Sequence, residues 1–261
     1  MTRLFDLSGQ VVFVTAAAKG LGYAMAEVAA EHGATVILTD VDEAALEIAT
    51  ASLSLRNLDA HSAVLDVTDL DALQSMIDGC AHRFGRLDTL FANAGLSAGP
   101  GPLSGTGSMD NVDIHHWNAV LHTNLTSTFV AVRSAARHMR QRRQGRVVVT
   151  ASIAGMRAEP MCGYAYAATK AGLVNLVRQF VIELSPDNIL INAIAPGPFR
   201  THFGNGRMQR EDVAIEFSQS VPLGRIGNTE EIKGVALLLA SPASSYMTGA
   251  IIPIDGGATS Q

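Results

Sequence analysis

Two hydrophobic periods alternate along this chain, and that alternation restricts its fold more than any other feature. Seven short runs, at residues 11–15, 35–39, 61–65, 87–92, 146–151, 190–195 and 250–254, are nearly continuous in apolar and β-branched side chains. A strand that is apolar at every position needs cover on both faces, a condition met in parallel sheets sandwiched between helices. Between the runs lie segments of helical period, at 22–32, 43–54, 70–84, 117–142, 166–184 and 230–240. Strand and helix in alternation imply right-handed crossovers. The expected fold is α/β, a doubly wound parallel seven-stranded sheet with helices on both faces. The 261 residues hold no internal repeat and no long Pro/Gly linker, and read as one domain spanning 1–261.

Composition narrows the function. A net charge of -5 gives no basic field for a polyphosphate chain, so nucleic acid is not an expected partner. Cys80 and Cys162 are too few for a disulfide framework, and no His/Cys/Asp cluster has metal-ligand spacing. No apolar run approaches the roughly 18 residues that cross a bilayer. The expectation is a cytoplasmic protein with no metal and no membrane contact.

The first strand runs straight into a helix through Thr15-Ala16-Ala17-Ala18-Lys19-Gly20-Leu21-Gly22. Small residues there let backbone N–H groups and the helix N-terminus approach a pyrophosphate. Eighteen residues beyond Gly22 the second strand closes on Asp40, whose carboxylate is placed to accept both hydroxyls of an adenosine ribose. The two halves together point to a dinucleotide. Two loops, 97–111 and 196–209, fall after strands on the sheet edge where such ligands bind.

Tyr166 and Lys170 are four residues apart on a predicted helix and share a face. A free phenol, with a pKa near 10, is a poor base at neutral pH; a neighbouring cation favours the phenolate and brings it toward the working range. Ser152 ends the fifth strand, where its hydroxyl is placed to meet a substrate oxygen. Tyr164 is close by, but its i+4 neighbour is Ala168.

With these residues in view, nearly the whole chain resembles the single-domain branch of the short-chain dehydrogenase/reductase family. Thr15, Gly20 and Gly22 match the family's Thr-Gly-x-x-x-Gly-x-Gly opening, and Ala16 stands where that pattern has its first glycine. Asp66-Val67 looks like the adenine-binding step after the third strand, and Asn93-Ala94-Gly95 like the motif after the fourth. Pro196-Gly197 with Thr201 is similar to the loop that packs on the nicotinamide and holds its carboxamide. The resemblance implies a Rossmann-like fold and NAD as cofactor. It also implies hydride transfer to or from a secondary alcohol or ketone. Tyr166 would handle the alcohol proton and Ser152 would steady the oxygen. Lys170 would tune Tyr166 and bind the nicotinamide ribose, and Asn124 would relay the proton outward. Ser152 and Tyr166 are fourteen positions apart, one more than the family's usual spacing, and an extra residue in the 156–163 loop accommodates the difference. Resemblance also implies a homotetramer pairing the 117–142 and 166–184 helices.

Several neighbouring residues read differently. Arg200, His202 and Arg207, with Glu159 across the cleft, suggest a polar substrate, and residues 4–9 and 194–201 look like bacterial gluconate and polyol dehydrogenases. A sugar, sugar acid or polyol is therefore the expected substrate. His115 and His116 read as surface residues before a helix, and Met161 and Cys162 as packing. Arg137, Arg140, Arg142, Arg143 and Arg146 read as a solvated helix end. The alternatives are an NADPH-dependent 3-oxoacyl carrier-protein reductase, against which Asp40 argues, and a non-catalytic NAD-binding regulator.

Overall fold

The computed structural model describes residues 4–204 and 206–260. Its strands are β1 (Val11–Thr15), β2 (Thr35–Asp40), β3 (Ala60–Val64), β4 (Thr89–Ala92), β5 (Gly145–Thr150), β6 (Ile189–Pro196) and β7 (Ile251–Ile254). All pair in parallel, in the order β3-β2-β1-β4-β5-β6-β7. The helices are α1 (Gly20–Glu31), α2 (Glu43–Ser54), α3 (Leu70–Phe84), α4 (Ile114–Leu121), α5 (Ser127–Arg142), α6 (Tyr164–Leu184), α7 (Glu211–Ser218) and α8 (Lys233–Ala240). One hydrophobic core sets α3, α5 and α6 against one face of the sheet through Leu73, Ile77, Val130, Met139, Leu173 and Val177. Another sets α1, α2 and α8 on the opposite face through Met25, Val28, Leu46, Ala49, Ala236 and Leu239. The strand order reverses between β1 and β4, and the crevice at the carboxyl ends there is where ligands bind in such sheets.

Four elements depart from the sequence reading. β3 and β7 are edge strands and not buried throughout: Ser62 and Val64 are exposed, and β7 carries Pro253, which an edge tolerates because one row of N–H groups needs no partner. The predicted 117–142 helix starts earlier, at Ile114, because the Asp113 carboxylate accepts from the His115 N–H at 2.9 Å. His115 and His116 thus sit in its first turn, both exposed. That helix is also interrupted by a π turn over His122–Thr126. Helix α7 was not anticipated, although Val213, Ala214 and Phe217 carry its apolar spacing and Glu211 and Asp212 its acidic first turn.

The arginine cluster is not simply a solvated helix end. Asp88 is 2% exposed and accepts from the Val11 N–H at 2.8 Å. Arg86 and Arg142 both donate to its carboxylate. Burial pushes this carboxyl up, but the two guanidiniums and the Val11 N–H outweigh it and hold Asp88 below the usual range. Arg146 is buried on β5, while Arg140 pairs with Glu183 and Asp187 and Arg137 with Asp78. The cluster therefore ties the amino ends of β1, β4 and β5 to the end of α5, a long-range arrangement invisible to local charge counting.

Candidate active site

A cleft of about 350 Å³ opens at the carboxyl ends of the strands, within the size range of small-molecule sites. At one end is the turn between β1 and α1. No side chain caps α1, so its N-terminal N–H groups remain available to an anion. Ala16 there takes φ +52°, the left-handed region in which a Cβ costs about 1 kcal/mol that glycine avoids. Gly22 is required for a different reason. A Cβ on it would lie 2.2 Å from the Ala16 carbonyl oxygen and 2.6 Å from Asn93 Nδ2.

The turn is held from beneath. The buried Thr15 hydroxyl accepts from the N–H groups of Asn93 (2.9 Å) and Ala94 (3.0 Å). The Asn93 amide donates to the carbonyls of Thr15 (3.2 Å) and Ala16 (3.1 Å), and its oxygen accepts from Thr150 Oγ1 at 3.0 Å. Asp40, half-buried at the end of β2, accepts from Ala18 N–H at 3.0 Å and Asp42 N–H at 3.1 Å. Lys19 is drawn away from the turn by Asp42, 2.8 Å from its Nζ. Beyond β3, Asp66 accepts from the N–H and hydroxyl of Thr68, and Val67 is buried in the core.

At the other end of the cleft Ser152, Tyr166 and Lys170, expected from the sequence to handle the proton, converge. Ser152 caps a short 3-10 turn, its hydroxyl accepting from Ala154 N–H at 3.1 Å, and its side chain is near enough to the Tyr166 phenol to favour the phenolate. Lys170, one turn along α6, is 3% exposed. Its Nζ lies 5.5 Å from the Tyr166 ring centre and donates to the Thr150 carbonyl at 2.6 Å. Burial pushes the Tyr166 phenol well above its ordinary value, only partly offset by Ser152, and brings Lys170 down to about 8. The expected depression of the phenol by Lys170 is not found: burial raises it, and the group that lowers it is Ser152. Asn124 is fully buried within the π turn. Its amide oxygen accepts from Leu96 N–H at 2.6 Å, and its amide nitrogen donates to Leu96 O and Thr169 Oγ1. A Cβ on Gly95 would be 3.7 Å from both Asn124 Oδ1 and Lys170 Nζ, so the Gly95 backbone lies against both groups.

Lys19, Gly20, Leu21, Asn93, Gly95, Ser152, Tyr166, Lys170, Pro196, Gly197 and Thr201 all line the cleft. Thr15, Gly22 and Asn124 lie behind its wall, and Asp40, Asp66 and Val67 lie toward β2 and β3. The loop after β6 closes onto the phosphate turn: a Cβ on Gly20 would be 3.6 Å from Thr201. Met161 and Cys162 line the cleft in addition to packing. Ile153, Phe203, Met208 and Phe217 complete an apolar wall that the sequence reading did not assign. The α7 pattern over residues 213–217 carried the available signal for Phe217. Arg200 turns to Glu211 at 3.2 Å, whereas His202 and Glu159 face the cleft. The Arg207 side chain lies outside the described residues.

The comparisons with known proteins agree with this geometry. A family model described as enoyl-(acyl carrier protein) reductase matches residues 15–259. Cis-4-hydroxycyclohexanecarboxylate dehydrogenase of Sinomonas cyclohexanicum is 36% identical over 253 residues, covering 96% of each chain. Gluconate 5-dehydrogenase of Gluconobacter oxydans is 33% identical, covering 98% of this chain and 97% of its own. The solved structure of NADPH-dependent 3-quinuclidinone reductase from Rhodotorula rubra superposes with a TM-score of 0.88 at 32% identity, covering 99% of this chain and 94% of that one. Sheet order, site geometry and these full-length likenesses together place the chain in the short-chain dehydrogenase/reductase family.

Proposed function

We propose that this protein interconverts a secondary alcohol and a ketone, with NAD(H) as hydride carrier and Ser152, Tyr166, Lys170 and Asn124 as the proton-handling group. The observation that carries this reading is the convergence of Ser152, Tyr166 and Lys170, with Lys170 Nζ 5.5 Å from the Tyr166 ring centre, in a cleft that continues to an uncapped helix N-terminus. The site fits a dinucleotide: the turn has a close-approach glycine at Gly22, and Asp40 stands at the end of β2. The Lys19–Leu21 turn would hold the pyrophosphate and Asp40 the adenosine ribose. Asp66 and Val67 would flank the adenine. Pro196, Gly197 and Thr201 would pack on the nicotinamide, whose role when bound is to give or take the hydride.

The protein's own part concerns one oxygen. With its phenol held protonated by burial, Tyr166 is set to donate a proton to a carbonyl oxygen. Ser152 donates a second hydrogen bond to the same atom, stabilising negative charge as it develops. Lys170, buried and cationic below about pH 8, is the positive charge beside the phenol once it has given up its proton. Asn124 positions the Gly95–Leu96 backbone next to Lys170 and lies on the outward proton route. The substrate class is a sugar-like, polyol or ring alcohol, and one unit spanning 1–261 supplies both cofactor and catalytic residues.

NADH formation over a panel of polyols, sugar acids and cyclic alcohols tests the reading. At least one class should give turnover that depends on both alcohol and NAD. Complete inactivity with NAD and NADP alike would turn the balance to a non-catalytic dinucleotide-binding protein.

We also read the protein as cytoplasmic and tetrameric. No helix among the described residues is long and apolar enough to cross a membrane. The outward faces of α5 and α6 carry Phe129 stacked on Phe180 with Ile182 71% exposed, and Tyr246 near β7 is fully exposed. Apolar groups clustered in this way favour a symmetric partner. Light scattering at micromolar concentration should give four chains, and Phe129→Glu should dissociate them. A monomeric wild type is the contrary result.

A further inference from the structure

We propose that Glu159 sets the substrate class of the cleft: an alcohol or ketone that presents a hydrogen-bond donor, a second hydroxyl or an ammonium, at the end remote from the reacting carbon, and not a carboxylate. This deepens the alcohol–ketone reading and rests on it.

Around the reacting end, the substrate half of the cleft is walled by apolar groups, chiefly Ile153, Met161, Phe203 and Phe217. Glu159 is the acidic side chain in that lining. It is only 8% exposed, and it opens the turn that precedes α6, its carbonyl accepting from Cys162 N–H at 3.2 Å. A carboxylate so far removed from solvent requires partners. It has one: Arg157 Nη2 lies 3.5 Å from Oε2, a long contact, and the same guanidinium is also engaged with the Ala258 carbonyl. Among the described residues, Oε1 accepts from no group. A largely apolar cavity with an underused carboxylate oxygen selects for a donor, because a substrate without one leaves that oxygen unpaired. The same group disfavours a substrate carboxylate, whose charge would meet a like charge where solvent screening is weak.

The other charged side chains in the lining do not reverse the sign. Lys19 is held by Asp42 at the phosphate end, and Lys170 is bound to Thr150 beneath Tyr166. His202 lines the cleft from the exposed loop after β6. Arg157 matters for the test, because Glu159→Gln removes the anion while leaving that guanidinium beside the site. The variant should therefore lose preference for donors and gain tolerance for carboxylates together.

The test uses one ring with four substituents at its far carbon: cyclohexanol, 1,4-cyclohexanediol, 4-aminocyclohexanol and 4-hydroxycyclohexanecarboxylate. Affinity for the NADH-loaded enzyme is measured by calorimetry, and kcat/KM in parallel. In the wild type the diol and the amino alcohol should bind at least tenfold more tightly than the carboxylate, a difference of about 1.4 kcal/mol. In Glu159→Gln, measured relative to cyclohexanol in the same variant, the amino alcohol should weaken and the carboxylate tighten, each severalfold. A wild type that favours the carboxylate, or a substituent preference identical in the variant, overturns the assignment of Glu159. Because binding is read apart from turnover, ligands that bind with the expected preference but are not oxidised would count against the proposed reaction and still support Glu159.

Discussion

Tyr166→Phe is expected to fold normally, bind NADH as the wild type does, and lose turnover by about three orders of magnitude, within the range attributed to a positioned general acid or base. The change deletes one oxygen and keeps the ring, so the packing against Phe203, 5.7 Å between ring centres, survives. Lys170 keeps its bond to Thr150, and Ser152 still caps its turn. What disappears is the proton donor to the substrate oxygen, leaving Ser152 as a weak hydrogen-bond donor with no base behind it. Thermal melting, NADH fluorescence titration and single-turnover rates separate these effects. A variant with near-normal rates would rule out Tyr166 as the acid. The direction of the pH response follows from burial. Because the phenol is pushed up, it is protonated through neutral pH. Ketone reduction should then stay level as pH rises toward 8, whereas alcohol oxidation, which needs the phenolate, should climb.

A preference for NAD(H) over NADP(H) of about a hundredfold in kcat/KM is the second large effect expected. Asp40 is fixed by two backbone N–H groups and cannot swing freely from a 2′-phosphate. At about 4 Å and an effective dielectric near 20, each unit-charge pair costs on the order of 4 kcal/mol. Solvent, salt and adjustment reduce this to about 2–3 kcal/mol, and 1.4 kcal/mol is a factor of ten. Lys19 is the nearby cation that would oppose the repulsion, but it is paired with Asp42, and Val41 offers no charge. Asp40→Ser combined with Val41→Arg should move the NADP/NAD ratio of kcat/KM upward by tenfold or more. Equal use of both cofactors by the unmodified enzyme would show that Asp40 does not discriminate.

The sheet, its helices and the shared face of Tyr166 and Lys170 were legible because each depends on local period or spacing. Buried strands announce themselves as apolar runs, and Tyr166 and Lys170 meet because four residues make one helical turn. What stayed hidden depends on distant partners. Asp88 gathers Arg142 and the Val11 N–H from elements far apart in sequence. The edge positions of β3 and β7 follow from strand order, which no single strand encodes. The π turn at Asn124 adds one residue to a helix whose side-chain pattern still reads as continuous. The apolar wall was obscured because its members come from loops and from α7, whose eight residues give little periodic signal.

The hydrogen bonds beneath the cleft form an unbroken chain: Lys170 to the Thr150 carbonyl, Thr150 Oγ1 to Asn93, and Asn93 to the Ala16 carbonyl. Mechanically, this makes the floor a single bracket bolted across β1, β4 and β5. The proposed proton-transfer groups and the turn proposed to hold the phosphates therefore keep a common frame of reference whatever occupies the space above. The walls are mounted separately: Met161 precedes α6, Phe203 follows β6, and Phe217 sits on α7, outside the sheet. New substrate shapes can be accommodated by exchanging those wall residues one at a time, with the phenol still aimed at the same point. Chemistry and selectivity are thus separable design variables in this molecule, the first written into the strands and the second into the segments that hang from them.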